Sequence, residues 1–250
     1  MSAANAVVFS GLVSLPTSGN TPTETPKKIE IETRLNRWKK LRKAIREGAR
    51  LHSLATGRRR ALMITFTYEG VDDQQPCDLS NCLRHMRQWC HRKSVDFRYV
   101  WVAELQGRGA LHYHLIVWLP RHLMMPCPDK QGWWPHGSTN VTAARSGVGY
   151  MTKYASKLRS KLKDGVSFPK GYRMHGCGGL PDDHREFRSH FLRPQWLRDL
   201  TKYTDKIRPA PGGGFVSKIT GELFPSPWIL CGFRFVPGVG PVVTVRKKGD

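Results

Sequence analysis

The sequence predicts an α+β fold with one main domain. Strand-type runs rich in β-branched and aromatic residues, such as "ALMITFTY" at 61–68, alternate with segments whose apolar residues recur at helical spacing. Two strand-type runs, 97–106 and 110–119, are separated only by Gly107-Arg108-Gly109, a connection typical of an antiparallel hairpin. With 250 residues, 39% of them hydrophobic, the chain is long enough to bury one sizeable core.

The elements divide the chain into four predicted parts. Residues 1–28 are small, polar and proline-bearing, so we expect a flexible lead. Residues 29–60 are predicted to form a basic amphipathic helix, and 61–205 the main domain. Residues 206–250 are expected to be a linker, "RPAPGGG", followed by a tail with short strands.

Within the main domain, the strand at 61–68 precedes a helix from 79 to about 92, whose Leu83, Met86 and Cys90 should face inward. After the hairpin, "STNVTAAR" is a weak strand and "VGYMTKYASKLRSKLK" a basic helix. A further helix is predicted over "RPQWLRDLTKYTDK".

The charge balance favours a polyanionic partner. Lysine and arginine number 41 against 19 acidic residues, a net charge of +22, and nucleic acid is the expected partner. No apolar run has the length of a membrane span, and "MSAANAVVFSGLVSLP" lacks the features of a signal peptide, so we expect a cytosolic protein. Its six cysteines are then expected to be reduced thiols, and they lack the paired spacing of a zinc site.

The run "GALHYHLIVWLP" places two histidines on one face of a strand. Because side chains alternate along a strand, His112 and His114 point the same way. If the hairpin loop is centred on Arg108, Glu104 lies directly opposite His112. Such a Glu-His-His set suits Mg²⁺ or Mn²⁺ acting on phosphate. Alternatively, Glu104 balances an arginine and the histidines are half exposed, and a two-residue loop would turn Glu104 to the other face.

A downstream helix carries a second candidate group. In "GYMTKYASK", Tyr150, Lys153, Tyr154 and Lys157 recur at the spacings that share one helical face. A tyrosine helped by nearby cations and a metal-polarised phosphate can attack a DNA phosphodiester. The alternative is that Tyr150 packs in the core and the lysines are solvated.

Together these residues resemble the HUH endonucleases, in particular the rolling-circle replication initiators of small single-stranded DNA phages, viruses and plasmids. The resemblance covers roughly residues 60 to 175, with "MITFTY", "ELQGRGALHYH" and "YMTKY" in the family's order. "KGYRMHGCGGLP" followed by "RPQWL" further resembles the initiators of filamentous bacteriophages. One departure is the bulky Tyr113, where the family often has an aliphatic residue.

The resemblance implies a central antiparallel sheet of about five strands flanked by helices. It implies that His112, His114 and Glu104 bind Mg²⁺ or Mn²⁺, that Tyr150 and Tyr154 are nucleophiles, and that Lys153 contacts the scissile phosphate or the metal shell. The implied activity is nicking and rejoining of origin DNA through a 5′-phosphotyrosine intermediate. From the basic residues we also expect DNA contacts by Lys157, Arg58, Arg59 and Arg60.

The implied partners are single-stranded or supercoiled origin DNA and a host helicase and polymerase, in the bacterial cytoplasm if a phage encodes the chain. Motif order argues against relaxases, whose tyrosine precedes the histidines. Small HUH transposases keep the order seen here and remain an alternative. A basic nucleic-acid-binding protein whose histidines bind nothing is the non-enzymatic alternative.

Overall fold

The computed structural model describes residues 28–55, 59–71, 74–107, 109–163 and 171–249, with the backbone alone over 157–163. Its elements in chain order are β1 (Ile29–Glu32), α1 (Thr33–Ala55), β2 (Arg59–Tyr68), α2 (Asp78–Arg92), β3 (Arg98–Leu105), β4 (Leu111–Pro120), β5 (Gly137–Ala144), α3 (Gly147–Lys163), β6 (His175–Gly178), α4 (Asp182–Leu192), α5 (Gln195–Leu200), β7 (Ile207–Pro209), β8 (Phe215–Ser217), β9 (Leu223–Phe224), β10 (Trp228–Val236) and β11 (Gly240–Lys247).

A five-stranded sheet forms the centre of the fold. Its strands lie in the order β5-β2-β4-β3-β6, and every neighbouring pair is antiparallel. Strand β4 is the middle strand and is buried over nearly its whole length, which explains why its sequence is an almost unbroken apolar run. The predicted α+β fold with an antiparallel sheet flanked by helices is therefore confirmed.

Helices cover both faces of this sheet. On one face, Leu83, Met86 and Cys90 of α2 are buried against the sheet, as their helical spacing predicted. On the other face, α1 and α3 pack on alternate residues of β3 and β4, with Ile45 and Met151 fully buried. The histidines of β4 point to this second face, because they alternate with the residues that face α2.

Replacing Leu115 by alanine is expected to destabilise the fold strongly. Leu115 is fully buried in the middle strand, and truncating such a side chain costs about 2–5 kcal/mol of unfolding free energy. The exposed Leu54 of α1 supplies a control, since Leu54→Ala should change stability by no more than about 0.5 kcal/mol. Urea titration of the two variants measures the difference, and equal stabilities would contradict this assignment of the core.

A second sheet joins the two ends of the described chain. Strand β1 pairs with β11, which also pairs with β10. Residues 29–32, predicted as the beginning of a helix, are therefore a strand, and the helix occupies Thr33–Ala55. The alternation of "IEIE" fits either element over so short a stretch, and the strand forms because β11 supplies the hydrogen-bonding partner.

The remaining elements also differ from prediction. The segment predicted as a linker forms a hairpin of β7 and β8, closed by a hydrogen bond from Ala210 N to Gly214 O. The helix predicted after "RPQWL" is short, and helix α4 was not predicted. Within the described residues, no helix combines the length and apolar character needed to cross a bilayer.

Candidate nuclease site

The β3–β4 hairpin brings Glu104 and His112 face to face. They are direct cross-strand partners, and Gln106 N donates to Ala110 O at 2.8 Å to continue the ladder into the loop. Gly109 adopts φ +90°, a backbone conformation that favours glycine. The predicted register, symmetric about residue 108, is confirmed. Residue 108 itself lies outside the described residues.

Glu104, His112 and His114 form one group, called here the acid–histidine cluster. Glu104 Oε2 lies 3.0 Å from His114 Nε2, and the two imidazole rings are 4.6 Å apart between centroids. His114 is 4% exposed, whereas His112 is half-buried. The cluster thus lies at the end of the sheet, with one histidine covered and the other partly accessible.

Helix α3 covers this cluster with a tyrosine. The Tyr154 ring stacks on the His114 ring, with 3.4 Å between centroids and 15° between planes. Two contacts set the position of the helix. The Trp38 indole of α1 donates to Ala155 O at 2.9 Å, and Gly147 lies so close to Trp118 that a Cβ there would be 3.0 Å from the indole.

The other predicted residues of α3 divide between the site and solvent. Tyr150 and Tyr154 both pack at the margin of the apolar cluster beneath α3, while Lys153 is exposed. Burial raises the pKa of the Tyr154 phenol above its usual value, and Glu104 and Tyr150 add to the rise. The side chain of Lys157 lies outside the described residues.

Two residues of the site were missed by the sequence reasoning. Thr67 Oγ1 lies 3.2 Å from His112 Nδ1, and Gln106 Nε2 lies 3.0 Å from the same atom. Thr67 is the cross-strand partner of His112 on β2. A signal for it was present, because threonines alternate with buried apolar residues in "ITFTY" and so occupy the other face of the strand.

The donor atoms of the acid–histidine cluster suit a hard divalent cation. Neighbouring ligands of an octahedral ion at about 2.1 Å are about 3.0 Å apart, which is the separation of Glu104 Oε2 and His114 Nε2. Thr67 can accept a hydrogen bond from His112 Nδ1, which leaves Nε2 as the metal-binding nitrogen. Among the described residues, no three His, Cys, Asp or Glu side chains already converge on one point as an ion would require, so ligation by all three needs side-chain rearrangement.

The arginines predicted to contact DNA lie away from this cluster. Arg60 Nε donates to Leu123 O at 3.1 Å, and Arg59 lies 3.7 Å from the Asp96 carboxylate. Arg60 precedes Thr67 by seven residues on β2, about 23 Å along an extended strand. Arg58 lies outside the described residues. DNA contact by these arginines therefore stays a prediction.

Comparison with known proteins points to replication. No curated protein and no solved structure matches the chain. Residues 61–159 match the model of a family of replication-associated proteins, the ORF2 family. The matched stretch includes the acid–histidine cluster and both tyrosines of α3. The part of the chain that builds the candidate site is thus similar to replication-associated proteins, which suggests a role in the initiation of replication.

Proposed function

We propose that this protein is a rolling-circle replication initiator of the HUH type that nicks one strand of origin DNA and later rejoins it. A tyrosine of α3 is the nucleophile, and the acid–histidine cluster binds Mg²⁺ or Mn²⁺. On the resemblance of "KGYRMHGCGGLP", we place it with the initiators of filamentous bacteriophages. Its expected partners are single-stranded or supercoiled origin DNA and the helicase and polymerase of a host.

One observation carries this proposal: the Tyr154 ring lies directly on the ring of His114, which is itself 3.0 Å from Glu104. The two motifs are far apart in the sequence, yet the fold brings a phenol onto the imidazole–carboxylate pair. A structural role for the tyrosines alone would not require that pair beside them.

The nicking step is a transesterification. As the bond between tyrosine Oη and the scissile phosphorus forms, the bond from phosphorus to the 3′ oxygen breaks. The phenol loses its proton, and the 3′ oxygen gains one. Because the phosphotyrosine bond replaces one phosphodiester by another, the energy needed for rejoining is retained and ATP is not required.

The residues around the phosphate divide the remaining work. Glu104, His112 and His114 would hold the metal ion, which when bound polarises the phosphate oxygens. The Thr67 hydroxyl orients His112. Lys153, between the two tyrosines on α3 and exposed to solvent, supplies positive charge to offset the charge that develops in the transition state.

The proposal is tested by trapping the intermediate. The wild-type protein is incubated with Mn²⁺ and labelled single-stranded DNA carrying candidate origin sequences, and the products are run on a denaturing gel. We expect a labelled band at the size of the protein, sensitive to protease and absent in excess chelator. Cleavage without a covalent band would rule out the tyrosine mechanism, and no cleavage of any candidate origin would contradict the initiator function.

A further inference from the structure

A groove of about 810 Å³ runs beside helix α1, outside the acid–histidine cluster. One wall is α1, and the opposite wall is the segment 172–175, which leads into β6. Ile31 of β1 and Val243 of β11 also line the groove. The groove therefore lies between the central sheet and the second sheet, at a place to which the proposed nicking mechanism gives no role.

The groove is positively charged. Arg37 and Lys40 line it from α1, Arg173 lines it from the opposite wall, and all three are exposed. Its lining, among the described residues, contains no aspartate or glutamate. An anionic ligand would therefore meet attraction along the groove without a compensating negative charge.

Two other basic residues of the groove contribute less. Lys43 Nζ donates to Phe191 O at 2.7 Å, so its ammonium is held by the protein. Burial, with Arg188 adding to it, lowers the pKa of His175 to about 4, so its imidazole is neutral at pH 7. The positive charge available to a ligand thus comes mainly from Arg37, Lys40 and Arg173.

The second sheet extends the groove with an apolar face. Val243 pairs directly with Phe233, and Pro241 with Phe235, so both phenyl rings lie on the face that includes Val243. Phe233 is 67% exposed and Phe235 65%. The register places these apolar residues on one face: Ile29, Ile31, Leu230, Phe233, Phe235, Pro241, Val243 and Val245.

The opposite wall of the groove leads to the proposed nuclease site. Met174 O accepts a hydrogen bond from Ala103 N at 2.8 Å, and His175 pairs with Val102. Continuing this antiparallel register one residue beyond Met174 brings Arg173 alongside Glu104. A chain lying in the groove would therefore pass the edge of the acid–histidine cluster.

We propose that this groove and the Phe233–Phe235 face bind single-stranded DNA and guide the strand to the acid–histidine cluster, an inference that rests on the proposed function. Arg37, Lys40 and Arg173 contact phosphates, and bases stack on the two phenyl rings. Exposed aromatic rings beside a cationic groove are the usual means of holding a single strand without reading its sequence. A second copy of this chain is disfavoured as the occupant, because its net charge of +22 would be brought against the same cations.

The test measures binding separately from chemistry. Fluorescence anisotropy with a labelled single-stranded oligonucleotide of mixed sequence is performed in chelator, so that no cleavage occurs. Phe233→Ala and Phe235→Ala should each weaken binding about tenfold, because each removes a stacking surface. Binding of the duplex of the same sequence should not change, since its bases are already stacked. Phe233→Trp should retain wild-type affinity.

The basic residues have a matched control on the same helix. Arg37→Gln with Lys40→Gln should reduce the slope of log Kd against log salt by about 1.4, or about 0.7 for each lost phosphate contact. Lys39 and Arg46 are also exposed on α1 but line a different hollow. Lys39→Gln with Arg46→Gln removes the same charge and should leave the slope nearly unchanged. Equal effects of the two pairs would overturn the assignment of the groove.

Two further results separate this inference from its alternatives. Sedimentation of Phe233→Ala that converts a wild-type dimer to a monomer, with DNA affinity unchanged, would assign the face to a second copy and overturn the proposal. In the adduct assay, the groove variants should require more DNA for half-maximal rate but reach the wild-type rate at saturation. Adduct formation with unaltered DNA dependence would refute the groove alone. Lost binding in a protein that never forms an adduct would refute the nuclease mechanism and leave the groove standing.

Discussion

A protein carrying both Tyr150→Phe and Tyr154→Phe is expected to form no covalent adduct with origin DNA. Both phenols lie on one face of α3, and Tyr154 lies on His114, so no phenol of this helix remains to attack the phosphate. We expect the adduct rate to fall by at least about 10³-fold, as for loss of a nucleophile. The adduct is counted on a denaturing gel with Mn²⁺ present.

The single variants distinguish the two tyrosines. Phenylalanine keeps the ring that stacks on His114, so Tyr154→Phe tests the hydroxyl and not the packing. With Tyr150 as the first nucleophile, Tyr150→Phe should lose the first adduct, whereas Tyr154→Phe should nick but fail to rejoin. The opposite pattern would reverse the roles.

The control for these variants is Tyr203→Phe, which changes an exposed phenol outside α3 and should leave the rate unchanged. An adduct in the double variant would place the nucleophile elsewhere in the chain.

His112→Ala is expected to abolish metal-dependent nicking without unfolding the protein. His112 is half-buried, so its removal disturbs packing less than removal of the covered His114. A metal ion on phosphate supplies several kcal/mol of transition-state stabilisation, and its loss should lower the nicking rate by about 10³-fold. Glu104→Gln, which keeps the size of the side chain, should have a similar effect on Mn²⁺ affinity.

The roles of direct ligands and orienting residues separate in the same experiment. Thr67→Val removes the hydroxyl 3.2 Å from His112 Nδ1 and should weaken Mn²⁺ binding about 10- to 100-fold, with partial recovery of nicking at high Mn²⁺. His91→Ala, at an exposed position of α2, is the matched control. Mn²⁺ titration followed by electron paramagnetic resonance measures the affinity. Undiminished nicking in excess chelator would rule out the metal site.

Local patterns predicted the hairpin well. The glycines flanking residue 108 and the alternation of the two strands were enough to predict that Glu104 faces His112, which the register confirms. The inward residues of α2 were predictable for the same reason, since Leu83, Met86 and Cys90 recur at a helical period. These features depend on residues close together in the chain.

Elements that depend on distant partners were predicted poorly. Strand β1 forms because β11, about 210 residues later, pairs with it, and nothing in "IEIE" names that partner. Strand β6 is "HGCG", which has no strand-type composition. Its position is explained by Gly176 and Gly178, where any Cβ would collide with the rings of Trp101 and Tyr99 on β3.

The sequence by itself determined which residue types the site has to work with: an acidic residue and two histidines on one face of a hairpin, and two tyrosines on one face of a helix. Only the tertiary structure decided that this helix lies over that hairpin. A helical period shows which face is apolar but not what covers it. The covering contact, from Trp38 to Ala155, spans 117 residues, and it places Tyr154 on His114. For the same reason the groove beside α1 became visible only in the fold, where Arg37, Arg173 and Val243 come together from three distant parts of the chain.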